Sequence, residues 1–175
     1  MKRTNIFYKS VLIAAGALLL CVQLIADDAS IIAGIKNLKT PGSNYFSGGQ
    51  PTDEQLTALA GAGVKHVINL RPVSETPKLD EASLVADRGM IYHSLPVDGA
   101  AGLTLSNVKA LDQLLKQAGD EKVLLHCSSG NRVGALMALR ASFIYGESVE
   151  GAIAQGKAWG LTRLEPEVRR LMGAL

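Results

Sequence analysis

The sequence predicts an α/β domain: a mostly parallel central sheet flanked by helices, with a helical C-terminal part. Three observations predict it. Short β-branched and apolar runs such as Val64–Leu70 and Lys122–His126 have the length and composition of buried strands. Runs with apolar residues at helical spacing, such as Leu105, Val108, Leu111, Leu114 and Leu115, lie between and after them. The alternation of the two is the pattern of a parallel sheet covered by helices.

The elements follow in order. Residues 27–43 read as a short helix and then a turn at Pro41-Gly42. Tyr45–Ser47 reads as a short strand. Thr52 with Gln55 three residues on is a capping box, starting a helix over Asp53–Ala62 that stops at Gly63. Val64–Leu70 is the next strand, and Arg71–Pro77 a loop with two prolines. A helix over Lys78–Arg88, a strand over Met90–Val97 and a small-residue loop over Asp98–Thr104 lead to the helix Leu105–Ala118 and the strand Lys122–His126. A long apolar helix over Arg132–Tyr145 and helices near Ser148–Trp159 and Glu165–Met172 complete the chain.

The N-terminus is organised differently. Lys2, Arg3 and Lys9 precede an apolar run from Val11 to Ala26, and Asp27-Asp28 follow. This is the layout of a secretory signal, and the run is shorter than the roughly 20 residues of a membrane-spanning helix. Leu24 stands where a cleavage site favours a small residue, so residues 1–26 read as a signal peptide or a membrane anchor, and 27–175 as one domain. The expected location is outside the cytoplasm, in a bacterial periplasm or tethered to the inner membrane. A membrane partner is expected only if the segment stays uncleaved. Loss of residues 1–26 turns the net charge from +2 to −1, which removes the electrostatic footprint of a nucleic-acid binder.

Only Cys21 and Cys127 are present, so a processed chain keeps one thiol. A free cysteine is most often buried and inert. The neighbours of Cys127 point elsewhere: it ends a strand, and Ser128, Ser129, Gly130, Asn131 and Arg132 lead straight into a helix. Backbone N–H groups at a helix N-terminus bind anions and favour thiolate over thiol. Gly130 lets the loop curl, and Arg132 supplies a planar fork for phosphate-like oxygens. The set makes an activated nucleophile beside an oxyanion clamp. Asp98, at a strand end one strand–helix–strand step earlier, is a candidate general acid and base, or else a solvated loop carboxylate or a helix cap. Arg71 either adds positive charge to the pocket rim or pairs with Glu75. His126, the last strand residue, is expected to point away from the pocket and hydrogen-bond the loop backbone. His66 and His93 have no ligand-spaced partners, and neither metal nor cofactor is implied.

At these residues the chain resembles the tyrosine/dual-specificity cysteine phosphatases. It is most similar to a bacterial dual-specificity-like family that also occurs fused to β-lactamase-like hydrolase domains. The resemblance runs from about Asn44 to Leu171, through Phe46-Ser47-Gly48-Gly49-Gln50-Pro51, Val67-Ile68-Asn69-Leu70-Arg71 with Glu75, Leu95-Pro96-Val97-Asp98 and His126–Arg132. It implies a cysteine-phosphatase-like fold, hydrolysis of a phosphorylated substrate through a cysteinyl-phosphate, Cys127 as nucleophile, Arg132 as phosphate ligand and Asp98 as general acid. Two features depart from the superfamily. Four residues separate Cys127 from Arg132 where five are usual, and Val133 stands where a hydroxyl residue usually follows the arginine. The shorter loop is common in rhodanese-type sulfurtransferases, so persulfide chemistry at Cys127 is one alternative and a catalytically silent anion-binding module another.

Overall fold

The computed structural model describes residues 28–173. The segment 1–26, read above as signal or anchor, lies outside them. Among the described residues no helix is long and apolar enough to cross a membrane.

The described chain runs α1 (residues 28–33), β1 (Tyr45–Gly48), α2 (Asp53–Gly61), β2 (Val64–Asn69), a 3-10 turn (Val73–Glu75), α3 (Glu81–Ala86), β3 (Ile91–Ser94), α4 (Leu105–Ala118), β4 (Lys122–His126), α5 (Asn131–Tyr145), α6 (Val149–Ala158) and α7 (Glu165–Gly173). The four strands pair in the order β1-β4-β2-β3, and every pairing is parallel. One isolated antiparallel bridge, Lys39 with Ser47, lies beside β1. Within residues 28–43 the expected short helix covers residues 28–33.

Local chemistry sets the ends of the elements. Thr52 Oγ1 accepts the Gln55 N–H and Gln55 Oε1 accepts the Thr52 N–H, closing the capping box of α2. Helix α3 begins at Glu81 rather than Lys78, because Asp80 Oδ1 accepts the Ser83 N–H at 3.1 Å and caps the helix there. Strand β3 is shorter than Met90–Val97. Beyond it the Leu95 and Val97 amides still donate to Asn69 and Leu70 carbonyls at 2.9 and 3.0 Å. The chain therefore stays beside β2 up to Asp98.

Strands β2 and β4 are covered on both faces, and so read as nearly continuous apolar runs. Alternation along β4 sends Val123, Leu125 and then Cys127 into the core formed with α4–α7, and Leu124 into the core formed with α1–α3. The same parity puts Cys127 and His126 on opposite sides of the sheet. Helices α5 and α6 meet through small residues. A methyl group on Gly134 would lie 2.0 Å from the Leu161 nitrogen and 2.6 Å from the Gly156 oxygen, so only glycine allows this approach.

Candidate active site

Cys127 follows β4 at the carboxyl edge of the sheet, where α/β folds place their sites. Both neighbouring strands fix it: its N–H donates to the Gly48 carbonyl at 3.2 Å, and the His126 carbonyl accepts the Leu70 N–H at 2.9 Å. The Ser129 N–H then points back at Cys127 Sγ, 3.5 Å away. Gly130 caps α5 with φ +80°, a left-handed conformation that turns the loop into the helix. No side chain caps α5 and its first turn has no acidic residue, so its positive end is left for an anion.

Arg132, in that first turn, is buried and firmly oriented. Its two terminal nitrogens donate to Glu75 Oε1 and Oε2 at 2.6 and 2.8 Å, and Nη1 also donates to the Val97 carbonyl at 2.9 Å. Nη2 lies 3.3 Å from Ser128 Oγ. Burial works against its charge, but the bonds to Glu75 and the adjacent Cys127 outweigh that and hold the guanidinium above its ordinary value. Bonding to Arg132, against some burial and with help from Arg71, holds Glu75 below the usual carboxylate range.

A cavity of about 420 Å³ opens over the loop. Cys127, Ser128, Ser129, Asn131 and Arg132 line one side of it, and Asp98 and Gly99 another. The candidate nucleophile, candidate phosphate ligand and candidate acid thus share one space. Cys127 is only 1% exposed, so its sulfur forms the floor and not the rim. A separate apolar groove of about 360 Å³, lined by Ile32, Leu38 and Phe46 among others, lies apart from Cys127.

Three residues have bonding partners that bear on their expected roles. Arg71 does not line the cavity. Its Nε and Nη2 bond Glu75 at 3.0 and 3.1 Å and its Nη1 bonds Gln50 at 2.9 Å, so it braces the carboxylate that orients Arg132. Asn131 reaches the cavity, but its Oδ1 accepts the Thr162 N–H at 2.8 Å and ties down the α6–α7 loop. His126 is fully buried and points away from the cavity, yet its ring does not bond the loop backbone. Nε2 lies 3.0 Å from Glu81 Oε1, close enough for charge contact but without an aligned hydrogen bond. Sheet parity explains this: His126 faces α3, and Glu81 is the buried polar group there.

Four residues of the cavity, Glu75, Gly99, Arg163 and Leu164, are not among the site residues that the sequence suggests. In the sequence Glu75 stands as a possible partner of Arg71 and as part of a motif segment; nothing local reveals that Arg132 folds onto it. Arg163 and Leu164 come from the loop after α6, and no spacing links that loop to Cys127. His66 and His93 pair with each other at 3.0 Å, and His66 also with Glu121 at 2.7 Å. Among the described residues no group of three or more side chains is arranged to hold a metal ion.

The motif segments quoted above bond to this loop or to the residues around it. Ser47 Oγ donates to the Trp159 carbonyl at 2.7 Å, Gly48 receives the Cys127 amide, and Gln50 joins Arg71 to Glu81. A sequence profile described as a DSP-PTPase phosphatase fused to NAD+ kinase matches residues 32–164, most of the chain. The chain belongs to this phosphatase family. Its domain is tyrosine/dual-specificity-phosphatase-like, on the fold of the cysteine phosphatases. It is similar to a beta-lactamase hydrolase-like protein of Agrobacterium fabrum, 31% identical over 109 residues, which are 60% of this chain and 23% of that protein. The chain spans about a quarter of the length of the curated relatives it matches. Among solved structures, it is similar to a candidate phosphatase of the DUF442 group from Shewanella putrefaciens CN-32. That likeness has 26% identity and TM-score 0.64, over 83% of this chain and 96% of that one. Another candidate phosphatase, from Neisseria meningitidis Z2491, has 25% identity and TM-score 0.65, over 78% and 97%.

Proposed function

We propose that the chain hydrolyses phosphoric monoesters through a cysteinyl-phosphate intermediate. The observation that carries this reading is the single cavity lined by Cys127, Arg132 and Asp98. Cys127 Sγ, as thiolate, attacks phosphorus while Arg132 and the loop N–H groups hold the phosphoryl oxygens. The P–O bond breaks, and the departing oxygen takes a proton from Asp98. Water then attacks the phosphocysteine, Asp98 takes its proton, and the P–S bond breaks to restore the thiolate. Every step uses side chains of this chain, and its substrate is a phosphorylated molecule.

One feature favours a second reading. The four-residue interval between Cys127 and Arg132 suits a sulfurtransferase that carries sulfane sulfur on Cys127. Asp98 separates the two, because sulfur transfer has no leaving oxygen to protonate. The test is turnover of phenyl phosphate and, in parallel, of thiosulfate with cyanide, under reducing conditions. Phosphate release abolished in Cys127→Ser, and lowered roughly 10²- to 10⁴-fold in Asp98→Asn, is the expected result. Thiocyanate formation that needs Cys127 and ignores Asp98 would replace the phosphatase by the sulfurtransferase. Turnover of neither substrate would leave an anion-binding module. The location outside the cytoplasm belongs to the same proposal; N-terminal sequencing of the chain from fractionated cells tests it, and a chain found whole in the cytosol refutes it.

A further inference from the structure

Seven arginines fall among the described residues, and six of them pair with carboxylates. Arg71 and Arg132 share Glu75, Arg88 pairs with Asp53, Arg140 with Asp112, Arg169 with Glu150 and Glu165, and Arg170 with Glu167. Arg163 alone among them has no carboxylate partner, and it lines the cavity above Cys127. An unneutralised guanidinium at the mouth of an anion site is a feature the hydrolysis itself does not account for, since Arg132 and the loop amides already face the phosphoryl group.

Arg163 is also held in place by its backbone. The amides on either side of it, Thr162 and Leu164, both donate to Asn131 Oδ1, at 2.8 and 3.4 Å. Leu161 donates to the Gly156 carbonyl at 2.8 Å and packs into the space that Gly134 leaves empty. Asn131 and Gly134 belong to the same stretch of α5 as Arg132. The two arginines therefore rise from one rigid unit, and a cation pre-positioned in this way loses little freedom on binding. The cavity, at about 420 Å³, lies in the range of about 300–1,000 Å³ that accommodates a small organic molecule. It leaves room for a leaving group beside the phosphoryl site.

We propose that Arg163 forms a second anion subsite. The preferred substrates are then phosphomonoesters whose leaving group carries a further acidic group, a carboxylate or a second phosphate. This rests on the phosphatase reading and names the substrate class of that same cavity. Arg163 is a specificity residue for the leaving group, and takes no part in bond making or breaking.

The test compares 3- and 4-carboxyphenyl phosphate with their uncharged primary amides, which have nearly the same shape. It uses the full chain, wild type, Arg163→Gln and Arg163→Lys. In the wild type, kcat/KM for at least one carboxylate exceeds that for its amide by roughly five- to tenfold at low salt, and the ratio shrinks as salt rises. In Arg163→Gln the ratio falls to one or below, and in Arg163→Lys part of it survives. Because the readout is a ratio within each variant, any general loss of activity cancels. Hydrolysis without preference, or a preference that survives Arg163→Gln, overturns the subsite and leaves the phosphatase standing. A wild type that hydrolyses none of the four overturns the phosphatase reading and the subsite with it.

Discussion

Replacing Glu75 by Gln tests how Arg132 is held in the proposed phosphate site. The carboxylate accepts from Arg132 twice, at 2.6 and 2.8 Å, and from Arg71 at 3.0 Å. A glutamine has one acceptor oxygen where the carboxylate has two. At least one Arg132 N–H then faces an amide N–H, and the ionic part of the pairing is lost. Hydrogen bonds to charged groups contribute about 1.5–3 kcal/mol. The Glu75 side chain is 31% exposed, so water offsets part of the loss and about 1–2 kcal/mol remains. The Val97 carbonyl still holds Arg132 Nη1 at 2.9 Å, so the arginine loosens rather than leaves. The variant also removes a negative charge from the cavity wall, which eases entry of a dianionic phosphate. The two effects separate in kinetics: kcat falls roughly 5- to 30-fold, while KM holds or drops. Steady-state hydrolysis of phenyl phosphate measures both, with a urea midpoint to show that the variant is folded. A folded Glu75→Gln chain with unchanged kcat, or with its whole loss in KM, would refute the claim that Glu75 orients Arg132.

Other predictions follow from the packing and the ionisable groups. Gly134→Ala forces a methyl group to within 2.0 Å of the Leu161 nitrogen; it lowers stability by about 1–3 kcal/mol or more, read as a drop in Tm. Ser47→Ala leaves the buried Trp159 carbonyl without its 2.7 Å partner and costs about 1–3 kcal/mol in a urea titration. Burial first, and then His66, hold His93 below its ordinary value of 6.5. The unfolded chain therefore binds more protons below that pH, so this histidine's contribution to stability falls as pH drops through 6.5 toward the folded value. Urea midpoints at pH 7.5 and 5.5 should differ less in His93→Gln than in the wild type. Glu75 acts in the opposite range: its folded value lies below 4.5, so its stabilisation is complete above 4.5 and is lost as pH falls through the folded value. Glu75→Gln should flatten that acid limb.

The elements that carry their own signals were legible in the sequence. The capping box at Thr52, the spacing of Leu105–Ala118 and the apolar run Lys122–His126 each depend on neighbours within a few residues, and each appears where the sequence puts it. The short helix α3 was harder, because its helical pattern runs back to Lys78 while the Asp80 side chain caps it only at Glu81. In the site, Cys127 and Arg132 could be found because strand, loop and helix are contiguous. Arg163 could not, because the loop after α6 reaches the cavity only through the contact of Gly134 with Leu161 and the bonds to Asn131.

The contacts around the loop also explain why a short motif draws on so much of the chain. Glu81, buried beneath the sheet edge, accepts from Asn69 and Gln50, each at 2.7 Å. Gln50 accepts from Arg71, Arg71 braces Glu75, and Glu75 fixes Arg132. Four of these residues come from three separate segments, after β1, at the end of β2 and at the start of α3. A polar chain of this kind stabilises only when each member is satisfied, since an unpartnered buried group costs more than its bond contributes. The position of Arg132 therefore depends on Asn69, Gln50 and Glu81, none of which touches the cavity. Their substitution should act on kcat through Arg132, and so resemble Glu75→Gln in kind while being smaller in size. A Gln50 variant that lost activity without any change at Arg132 would break that chain of reasoning at its middle link.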